Sequence, residues 1–574
     1  MIHTKPYDFK HACGTSISRK TRGKFTSIKV FVLAECSKIQ DCQESRLRNR
    51  LQDEGSFRDL LFFLLVKRDF EAIDALTPEV EGCSDGDLLF LDTIRAIRSG
   101  GDAEVLVDRL DDERDPWLHY TVAKILLNNG NAQSAIAVAS RYLRLFQRDC
   151  LLLNLAAKFL AVKGEQEVAL QLIESSLKLN PAQNDMAMLR DCILGQRAWP
   201  VPLYLDPLPL FQQVSFYVPV YNVERYIRQA IEGLISQNYP LAEIIVVDDG
   251  TPDRSIEIAM EYPVRIVRHE QNRGLAAARN TALKHASGSY VGSVDSDAVP
   301  DVNYTKYAMM EYENPCPELA GVGGRLIEAF TDTPADLWRK EWLSQDPGPV
   351  RKCPPLFLYG SNTVLRRESI LGVGGYGEQF RTNNEDVQLC NRLRSHGFSL
   401  IHTPWPVAYH HRRDTLRSVL KTKWNWLYWN RVQEGTFDTC GSIVKQMAGT
   451  LLESVHMMLT DRQVGRRGLL YIDFLWMAMD AVLNTNHAVH IGQLDSVEAR
   501  YIQNGVLESV RRIGAHYGSG LYEKVIADLS DLLLDGDALD GLPDAPWRAV
   551  LSGVLGDFER VCIDLDDVIF RVQD

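Results

Sequence analysis

The sequence predicts an α/β domain with a mainly parallel β-sheet that lies between two helical regions. Three observations support this fold class. A segment is repeated before residue 198, short apolar runs alternate with helical patterns over residues 213–415, and helical patterns continue over residues 416–574. A chain of 574 residues is long enough for two or three separate cores.

The composition narrows the class of protein. With 45% hydrophobic and 24% charged residues, the chain is globular rather than low-complexity. Its formal net charge of −13 argues against a nucleic-acid partner. The 11 cysteines include no Cys-x-x-Cys pair, which favours a reduced, cytoplasmic compartment. Asp473 and Asp480 interrupt the most apolar stretch, so we expect a buried or interfacial helix there and no transmembrane segment.

A basic segment precedes the first helical region. Residues 1–57 mix basic and polar residues without periodicity, which predicts a poorly ordered leader. Within residues 58–198, the segments 116–149 and 150–183 align at an offset of 34 residues. This period resembles the tetratricopeptide repeat, whose unit is a pair of helices. The repeats are expected either to dock a protein partner or to pack against the next domain.

Prolines mark the start of the next domain. Prolines are frequent in residues 199–212, which are predicted to be a linker because proline is disfavoured in helices and in central strands. Strands then alternate with helices, which is typical of a parallel sheet covered on both faces. The predicted strands are Val214–Val220, Ile244–Asp248, Val264–Arg268 and Tyr290–Asp295, and the predicted helices are Val223–Ser236, Arg254–Glu261 and Leu275–Ala286.

Acidic residues close two of these strands. Asp248 and Asp249 follow the second strand, and Asp295 and Asp297 follow the fourth. Ligands of such sheets bind at the carboxyl ends of the strands. Mn²⁺ and Mg²⁺ prefer oxygen ligands, usually one or two carboxylates completed by phosphates and water. Asp297 is therefore the leading metal ligand, and Asp295 is expected to reach either the same ion or a ribose.

Five short motifs, each weak alone, together resemble one family. They are VPVYN at 218–222, VDDGT at 247–251, NRGLAAARN at 272–280, VDSD at 294–297 and NEDV at 384–387. Residues 214 to about 415 are similar to a family-2 glycosyltransferase with the GT-A fold. The resemblance implies inverting transfer of a sugar from a nucleotide sugar, most often a UDP-sugar, with Mn²⁺ or Mg²⁺ as cofactor.

The resemblance also implies roles for residues of the donor site. Asp248 is expected either to bind the nucleotide or to cap the helix that follows it. Residues 272–274 precede a helix whose N-terminal amides suit a phosphate, although helix initiation alone explains the pattern as well. The expected contacts to the base are Pro219, Tyr221 and Asp249, and those to the uridine or ribose are Arg273 and Asp295.

The acceptor half of the site is implied in the same way. Asp386, at the start of an amphipathic helix, is the expected general base, with Glu385 as the alternative. His410 is expected to complete the metal or diphosphate site; the alternatives are a structural histidine and a role for its neighbour His411. The expected residues of the acceptor side are Gly360, Ser361 and Asn362.

The chain departs from the polysaccharide synthases of this family, which have membrane spans and a Gln-x-x-Arg-Trp motif. We therefore expect a soluble, non-processive enzyme whose acceptor is a protein, such as a bacterial surface protein, or a saccharide. Aromatic residues cluster after residue 420; core packing explains them, and a sugar platform or peripheral contact with a membrane surface are alternatives.

A second class of function is a scaffold protein that binds a partner through its repeats and carries an inactive transferase domain. The sequence disfavours it because every expected carboxylate is present. A nucleotidyltransferase is also disfavoured, because no glycine-rich loop follows the first strand near residue 220.

Overall fold

The structure is a computed structural model that describes residues 38–50, 56–76, 84–99, 103–147, 149–195, 212–313, 318–380, 382–518, 520–534 and 545–564. The linker predicted over residues 199–212 lies outside these ranges except for its last residue. Residues 1–37 of the predicted leader also lie outside them.

Residues 38–49 form helix α1, where the sequence predicted a poorly ordered leader as far as residue 57. Ile39, Gln43 and Leu47 recur every four residues and are all buried. The Gln43 amide donates hydrogen bonds to the backbone oxygens of Gln237 and Tyr239, at 3.1 and 3.2 Å. The prediction was wrong here because two apolar residues among many polar ones give only a weak periodic pattern.

The first helical region consists of short helices. Each of the two repeated segments forms a pair of helices, as predicted. Asp115 starts the first pair by accepting the N–H of Trp117 at 2.9 Å. The helices are α2 (Ser56–Lys67), α3 (Phe70–Asp74), α4 (Asp85–Ser99), α5 (Glu104–Val107), α6 (Pro116–Asn128), α7 (Ala132–Leu145), α8 (Leu151–Lys163), α9 (Gln166–Leu179) and α10 (Asn184–Ile193), with a 3₁₀ turn at Asp108–Leu110.

Buried ion pairs join this helical region to the α/β domain. Lys306 Nζ lies 2.8 Å from Asp115 Oδ2. Arg351 reaches Glu311 Oε1 at 3.0 Å and Asp185 Oδ2 at 3.1 Å. Unpaired buried charges are strongly destabilising, so these contacts fix the two regions against each other. The repeats therefore pack against the next domain, as one of the two interpretations expected.

The α/β domain contains an eight-stranded sheet of order β3-β2-β1-β4-β7-β6-β8-β5. Strands β3, β2, β1 and β4 are parallel, whereas β7 is antiparallel to β4 and β6, and β5 is antiparallel to β8. All four predicted strands are present. The strands are β1 (Val214–Val220), β2 (Glu243–Asp248), β3 (Arg265–Arg268), β4 (Tyr290–Val294), β5 (Ala298–Pro300), β6 (Leu319–Glu328), β7 (Asn362–Arg366) and β8 (Ser399–His410).

Helices cover both faces of the sheet, as predicted. Val214, Phe216 and Val218 of β1 enter one core, and Tyr217 enters the core on the other face. The helices of this domain are α11 (Ile227–Ile235), α12 (Ser255–Ala259), α13 (Leu275–His285), α14 (Tyr304–Tyr312), α15 (Pro334–Trp342), α16 (Arg367–Gly372) and α17 (Glu385–Ser395).

The C-terminal region is helical, as predicted. Its helices are α18 (Leu416–Gln433), α19 (Cys440–Gln463), α20 (Leu470–His490), α21 (Ser496–Tyr517), α22 (Leu521–Leu529) and α23 (Pro546–Asp564), with a 3₁₀ turn at Arg467–Leu469.

Two sequence expectations about this region are confirmed. Helix α20 is buried, and its Asp473 and Asp480 side chains are paired inside the protein. Trp424 is buried beside Tyr428 and Phe437, which agrees with core packing. No helix among the described residues is both long and apolar enough to span a membrane.

Candidate active site

The predicted functional residues converge at the carboxyl ends of the strands. Asp295 and Asp297 follow β4, His410 ends β8, and Asp386 lies in the first turn of α17. The pairing of β5 with β8 brings His410 beside Asp297. Arg279 donates to Asp295 Oδ1 and to the carbonyl oxygen of Gly360, whose N–H donates to Asp386 Oδ2, so these acids line one site. Burial raises the pKa of Asp295.

His410 is held between two carboxylates. Its Nε2 lies 3.5 Å from Asp297 Oδ2, and its Nδ1 lies 3.0 Å from Glu328 Oε2. Burial lowers the pKa of His410, but the two acids outweigh burial and raise it to about 9. For Asp297, burial is outweighed by His410, and the pKa falls to about 2. Sequence reasoning missed Glu328, which fixes the orientation of the imidazole.

Asp297 and His410 suit a divalent cation that takes its remaining ligands from a substrate. Within the described ranges, no group of three or more His, Cys, Asp or Glu side chains is placed to hold a metal ion. Mg²⁺ sites commonly use one or two protein carboxylates together with substrate phosphates. A histidine whose second nitrogen bonds a carboxylate, as His410 bonds Glu328, is also typical of metal ligands.

Arg279 occupies the centre of the site, and the sequence assigned it no role. Its side chain is 2% exposed. Nη2 donates to Asp295 Oδ1 at 3.1 Å, and Nη1 donates to Ser293 Oγ at 2.8 Å and to the carbonyl oxygen of Gly360. One carboxylate oxygen of Asp295 is therefore hydrogen-bonded to Arg279. The only sequence signal for Arg279 was its place within the motif at 272–280.

The two acids at the start of α17 differ in environment. Glu385 is 2% exposed, and its Oε1 lies 3.4 Å from Arg279 Nε. Burial and the neighbouring Asp386 raise the pKa of Glu385 to about 7. Asp386 is partly exposed, and its Oδ2 accepts the N–H of Gly360 at 2.9 Å. The more accessible carboxylate is thus Asp386.

Asp249 is engaged within the protein rather than free to bind a base. Its Oδ1 accepts the N–H of Arg273 and its Oδ2 accepts that of Gly274, both at 2.8 Å. Its Oδ1 also lies 2.7 Å from His269 Nδ1. Asp249 therefore bonds the two amides that directly precede α13. The helix-initiation interpretation of residues 272–274 fits these contacts.

Asp248 does not cap the helix that follows it. Its Oδ1 accepts the N–H of Thr251 at 2.9 Å, so it stabilises the turn after β2. Asp253 accepts the N–H of Ser255 at the start of α12 instead. Asp248 Oδ2 lies 3.7 Å from Arg268, at the edge of the site.

The remaining donor residues lie around the end of β1. Pro219 is partly buried, and the side chain of Tyr221 is 50% exposed. Arg273 is half exposed, and its Nη2 donates to Glu378 Oε2 at 3.2 Å. An exposed aromatic ring at this edge of the sheet offers a surface on which a base can stack.

The predicted acceptor segment borders the same site. Ser361 Oγ donates to Gln345 at 3.2 Å. Asn362 is 1% exposed, and neither polar atom of its side chain finds a hydrogen-bond partner among the described residues. The backbone N–H of His411 donates to the Asp297 carbonyl at 2.7 Å, its ring lies edge-on to Phe330 with ring centres 5.6 Å apart, and burial lowers the pKa of the ring.

Two family models match the chain. Residues 215–372 match the model described as glycosyl transferase family 2. Residues 89–251 match the model described as ChAPs, Chs5p-Arf1p-binding proteins. The mainly parallel sheet with acidic residues at its carboxyl edge defines an α/β domain of the GT-A class. Residues 215–372 are therefore similar to family-2 glycosyltransferases, and residues 89–251, which overlap them, are similar to the ChAPs.

Similar proteins match parts of the chain. The uncharacterized glycosyltransferase EpsJ of Bacillus subtilis is 47% identical over 102 residues, which cover 17% of this chain and 28% of EpsJ. The putative glycosyltransferase EpsE of the same species is 28% identical over 195 residues, 32% of this chain and 68% of EpsE. The pre-mycofactocin glycosyltransferase of Mycobacterium tuberculosis is 28% identical over 225 residues, 38% of this chain and 46% of that protein. The chain thus spans 28% of the length of EpsJ and less than half of the mycobacterial protein.

Solved structures show weaker likeness. The mannosyltransferase PcManGT from Pyrobaculum calidifontis, in complex with GDP-Man and Mn²⁺, is 16% identical with a TM-score of 0.31, over 72% of this chain and 97% of that one. TarS of S. aureus is 18% identical with a TM-score of 0.28, over 37% of this chain and 39% of that one. Such scores are too low to establish a common arrangement of the whole chains.

Proposed function

We propose that this protein is an inverting, metal-dependent glycosyltransferase that moves a sugar from a nucleotide sugar to a hydroxyl group of a protein or saccharide. The observation that carries the proposal is the convergence of acids at the carboxyl end of the sheet: Arg279 bonds Asp295 and Gly360, Gly360 bonds Asp386, and Asp297 lies beside His410. The family-2 match over residues 215–372 supports the same reaction.

The donor half would be built from groups at the ends of β1, β2 and β4. Tyr221 offers an exposed ring to the base, UDP being the nucleotide we favour, and Asp295 would bond the ribose through its free oxygen. Asp297 and His410 would hold Mn²⁺ or Mg²⁺, with Glu328 orienting His410. When bound, the cation supplies positive charge that stabilises the departing diphosphate.

Asp386 is the group we assign as general base. Its carboxylate is partly exposed; Oδ2 accepts the N–H of Gly360 at 2.9 Å and Oδ1 accepts that of Val387 at 2.7 Å, and each oxygen keeps a second lone pair for an acceptor hydroxyl. Removal of the hydroxyl proton by Asp386 makes the oxygen a stronger nucleophile. Attack from the face opposite the diphosphate would invert the anomeric configuration in one displacement.

The acceptor would enter beside residues 360–362. Among the described residues, neither the donor nor the acceptor of the buried Asn362 amide has a hydrogen-bond partner, although buried polar groups normally find one. We assign transfer of one or a few sugars to an acceptor hydroxyl. A protein and a saccharide present such a group equally well.

The test is a transfer assay with UDP-glucose, UDP-galactose, UDP-N-acetylglucosamine and GDP-mannose, in Mn²⁺ and then in excess chelator. Product configuration is determined by NMR. We expect Asp297→Ala and Asp386→Asn to lose activity, and Asp557→Asn, which alters an exposed acid paired with Arg560, to keep it. Full activity in chelator and in both site variants would overturn the mechanism.

A compatible second proposal is that the helical region binds a protein partner. The match of residues 89–251 to Chs5p-Arf1p-binding proteins favours it. One surface of this region is occupied by the α/β domain, so a partner would use the opposite surface. Affinity capture would test this with variants that keep the Lys306–Asp115 contact and change exposed residues of α7 and α9. A partner that binds the unaltered protein but not these variants would identify the surface.

A further inference from the structure

One buried guanidinium connects the donor half of the site with the acceptor half. Arg279 Nη2 bonds Asp295 on the donor side, and Nη1 bonds the carbonyl oxygen of Gly360 on the acceptor side. Its Nε faces Glu385 at 3.4 Å, and its guanidinium carbon lies 5.6 Å from the ring centre of Tyr376. Hydrogen bonds therefore fix both terminal nitrogens, whereas Nε has no hydrogen-bond partner among the described residues.

Gly360 contacts both Arg279 and the proposed general base, Asp386. Its carbonyl oxygen accepts from Arg279 and from Ser293 Oγ, the latter at 2.5 Å, while its N–H donates to Asp386 Oδ2 at 2.9 Å. A Cβ at position 360 would come within 2.6 Å of Arg279 Nη1 and 2.8 Å of its Cζ. A side chain at position 360 would therefore displace the guanidinium, which lies directly against the backbone.

The charge balance of the site depends on the same side chain. Burial lowers the pKa of Arg279, but Tyr217, Asp295 and Glu385 outweigh burial and raise it, so the guanidinium is charged. It is the basic group that contacts both Asp295 and Glu385. Without it, these carboxylates would repel each other in a buried space.

We propose that Arg279 is a positioning residue, which holds Asp386 in place through Gly360 and fixes that base relative to Asp295. This proposal rests on the proposed glycosyltransferase function. Arg279 itself is buried and does not have to touch the substrate. A shift of about 1 Å in a reacting group can cost about a hundredfold in rate, so the link is large enough to matter.

The test is a double-mutant cycle of Arg279→Lys and Asp386→Asn. Lysine keeps the charge, but its single ammonium cannot bond Asp295 and Gly360 with the fork geometry of arginine. Release of UDP from whichever UDP-sugar the unaltered protein turns over is measured with Mn²⁺ over long incubations. We expect Arg279→Lys to lower kcat about a hundredfold while KM for the donor changes far less.

In the Asp386→Asn background, Arg279→Lys should cost less than about threefold, because the base through which it acts is already gone. An equal loss in both backgrounds would show a merely structural role and overturn the proposal. If Arg279→Lys folds poorly, Gly360→Ala tests the same link, because its added Cβ displaces the guanidinium. Gly360→Ala should then show the same loss of kcat.

Arg351→Lys is the matched control, since Arg351 is equally buried and ion-paired but lies at the contact with the first helical region. It should lower thermal stability without lowering kcat. An unaltered protein that turns over no nucleotide sugar would overturn the proposed function itself, whereas an active one with an additive cycle would overturn only the role of Arg279.

Discussion

The indole nitrogen of Trp338 donates a hydrogen bond of 2.7 Å to Asp473 Oδ1, and so joins α15 of the α/β domain to the first turn of α20. The bond is buried at both ends. Burial and the nearby carboxyl group of Asp461 raise the pKa of Asp473 to about 8. Asp473 therefore stays protonated in the folded protein at neutral pH.

This contact predicts a stability that falls as pH rises. An aspartate in the unfolded chain has a pKa of about 3.9, so between about pH 4 and pH 8 only the folded state keeps the proton of Asp473. Stability from this group is complete below that range and is lost as pH approaches 8. Asp473→Asn keeps an acceptor for Trp338 but cannot ionise, so it should raise the free energy of unfolding by about 1 kcal/mol or more at pH 8.

Melting temperatures of the two proteins at pH 5 and pH 8 check this prediction. The difference between the two proteins should be clearly larger at pH 8 than at pH 5, with the variant the more stable at pH 8. Asp557→Asn serves as control, because that acid is exposed. An equal difference in melting temperature at both pH values would mean that Asp473 does not hold its proton.

The acids at the start of α17 should respond differently to substitution. Asp386→Asn is expected to lower kcat by about 10²–10⁴-fold, the range that general-base catalysis contributes. Glu385→Gln should lower it less, because Glu385 is buried against Arg279. Initial rates at saturating donor and acceptor distinguish the two. A larger loss in Glu385→Gln would move the assignment of the base to Glu385.

Much of the α/β domain could be predicted from sequence, because its strands are short apolar runs and its acids follow them directly. The same logic placed Asp295 and Asp297 at the carboxyl edge of the sheet, whereas the expected roles of Asp386 and His410 came from the resemblance to family-2 glycosyltransferases. This logic could not find Arg279, because the sequence around an arginine in the middle of a helix does not indicate which distant residues its side chain contacts. That guanidinium is defined only when β4, α17 and residue 360 come together.

The roles of Asp248 and Asp249 show a second limit. Both follow β2, and both suit a nucleotide by residue type alone. Their partners are backbone N–H groups, one in the adjacent turn and one set at the start of α13, some 25 residues later. Sequence spacing does not reveal which of two adjacent carboxylates meets a distant helix end.

The buried pair of Lys306 and Asp115 should be necessary for docking of the first helical region. Lys306→Met leaves Asp115 without its cation, although Asp115 also bonds the N–H of Trp117. Removing one partner of a buried pair typically costs about 3–5 kcal/mol. We expect a clearly lowered melting temperature, measured by tryptophan fluorescence. Arg254→Ala, which breaks an exposed pair with Glu257, should have little effect.

Glu328 should control affinity for the cation without binding it. Its carboxylate holds His410 Nδ1, and such partners of metal-ligating histidines typically account for 10–100-fold in affinity, roughly. Glu328→Gln is therefore expected to weaken Mn²⁺ binding within that range, measured by electron paramagnetic resonance of free Mn²⁺ in the presence of UDP. Glu257→Gln, on the exposed surface of α12, is the control and should bind as the unaltered protein does. Unchanged Mn²⁺ affinity in Glu328→Gln would remove His410 from the metal site and leave Asp297 as its protein ligand.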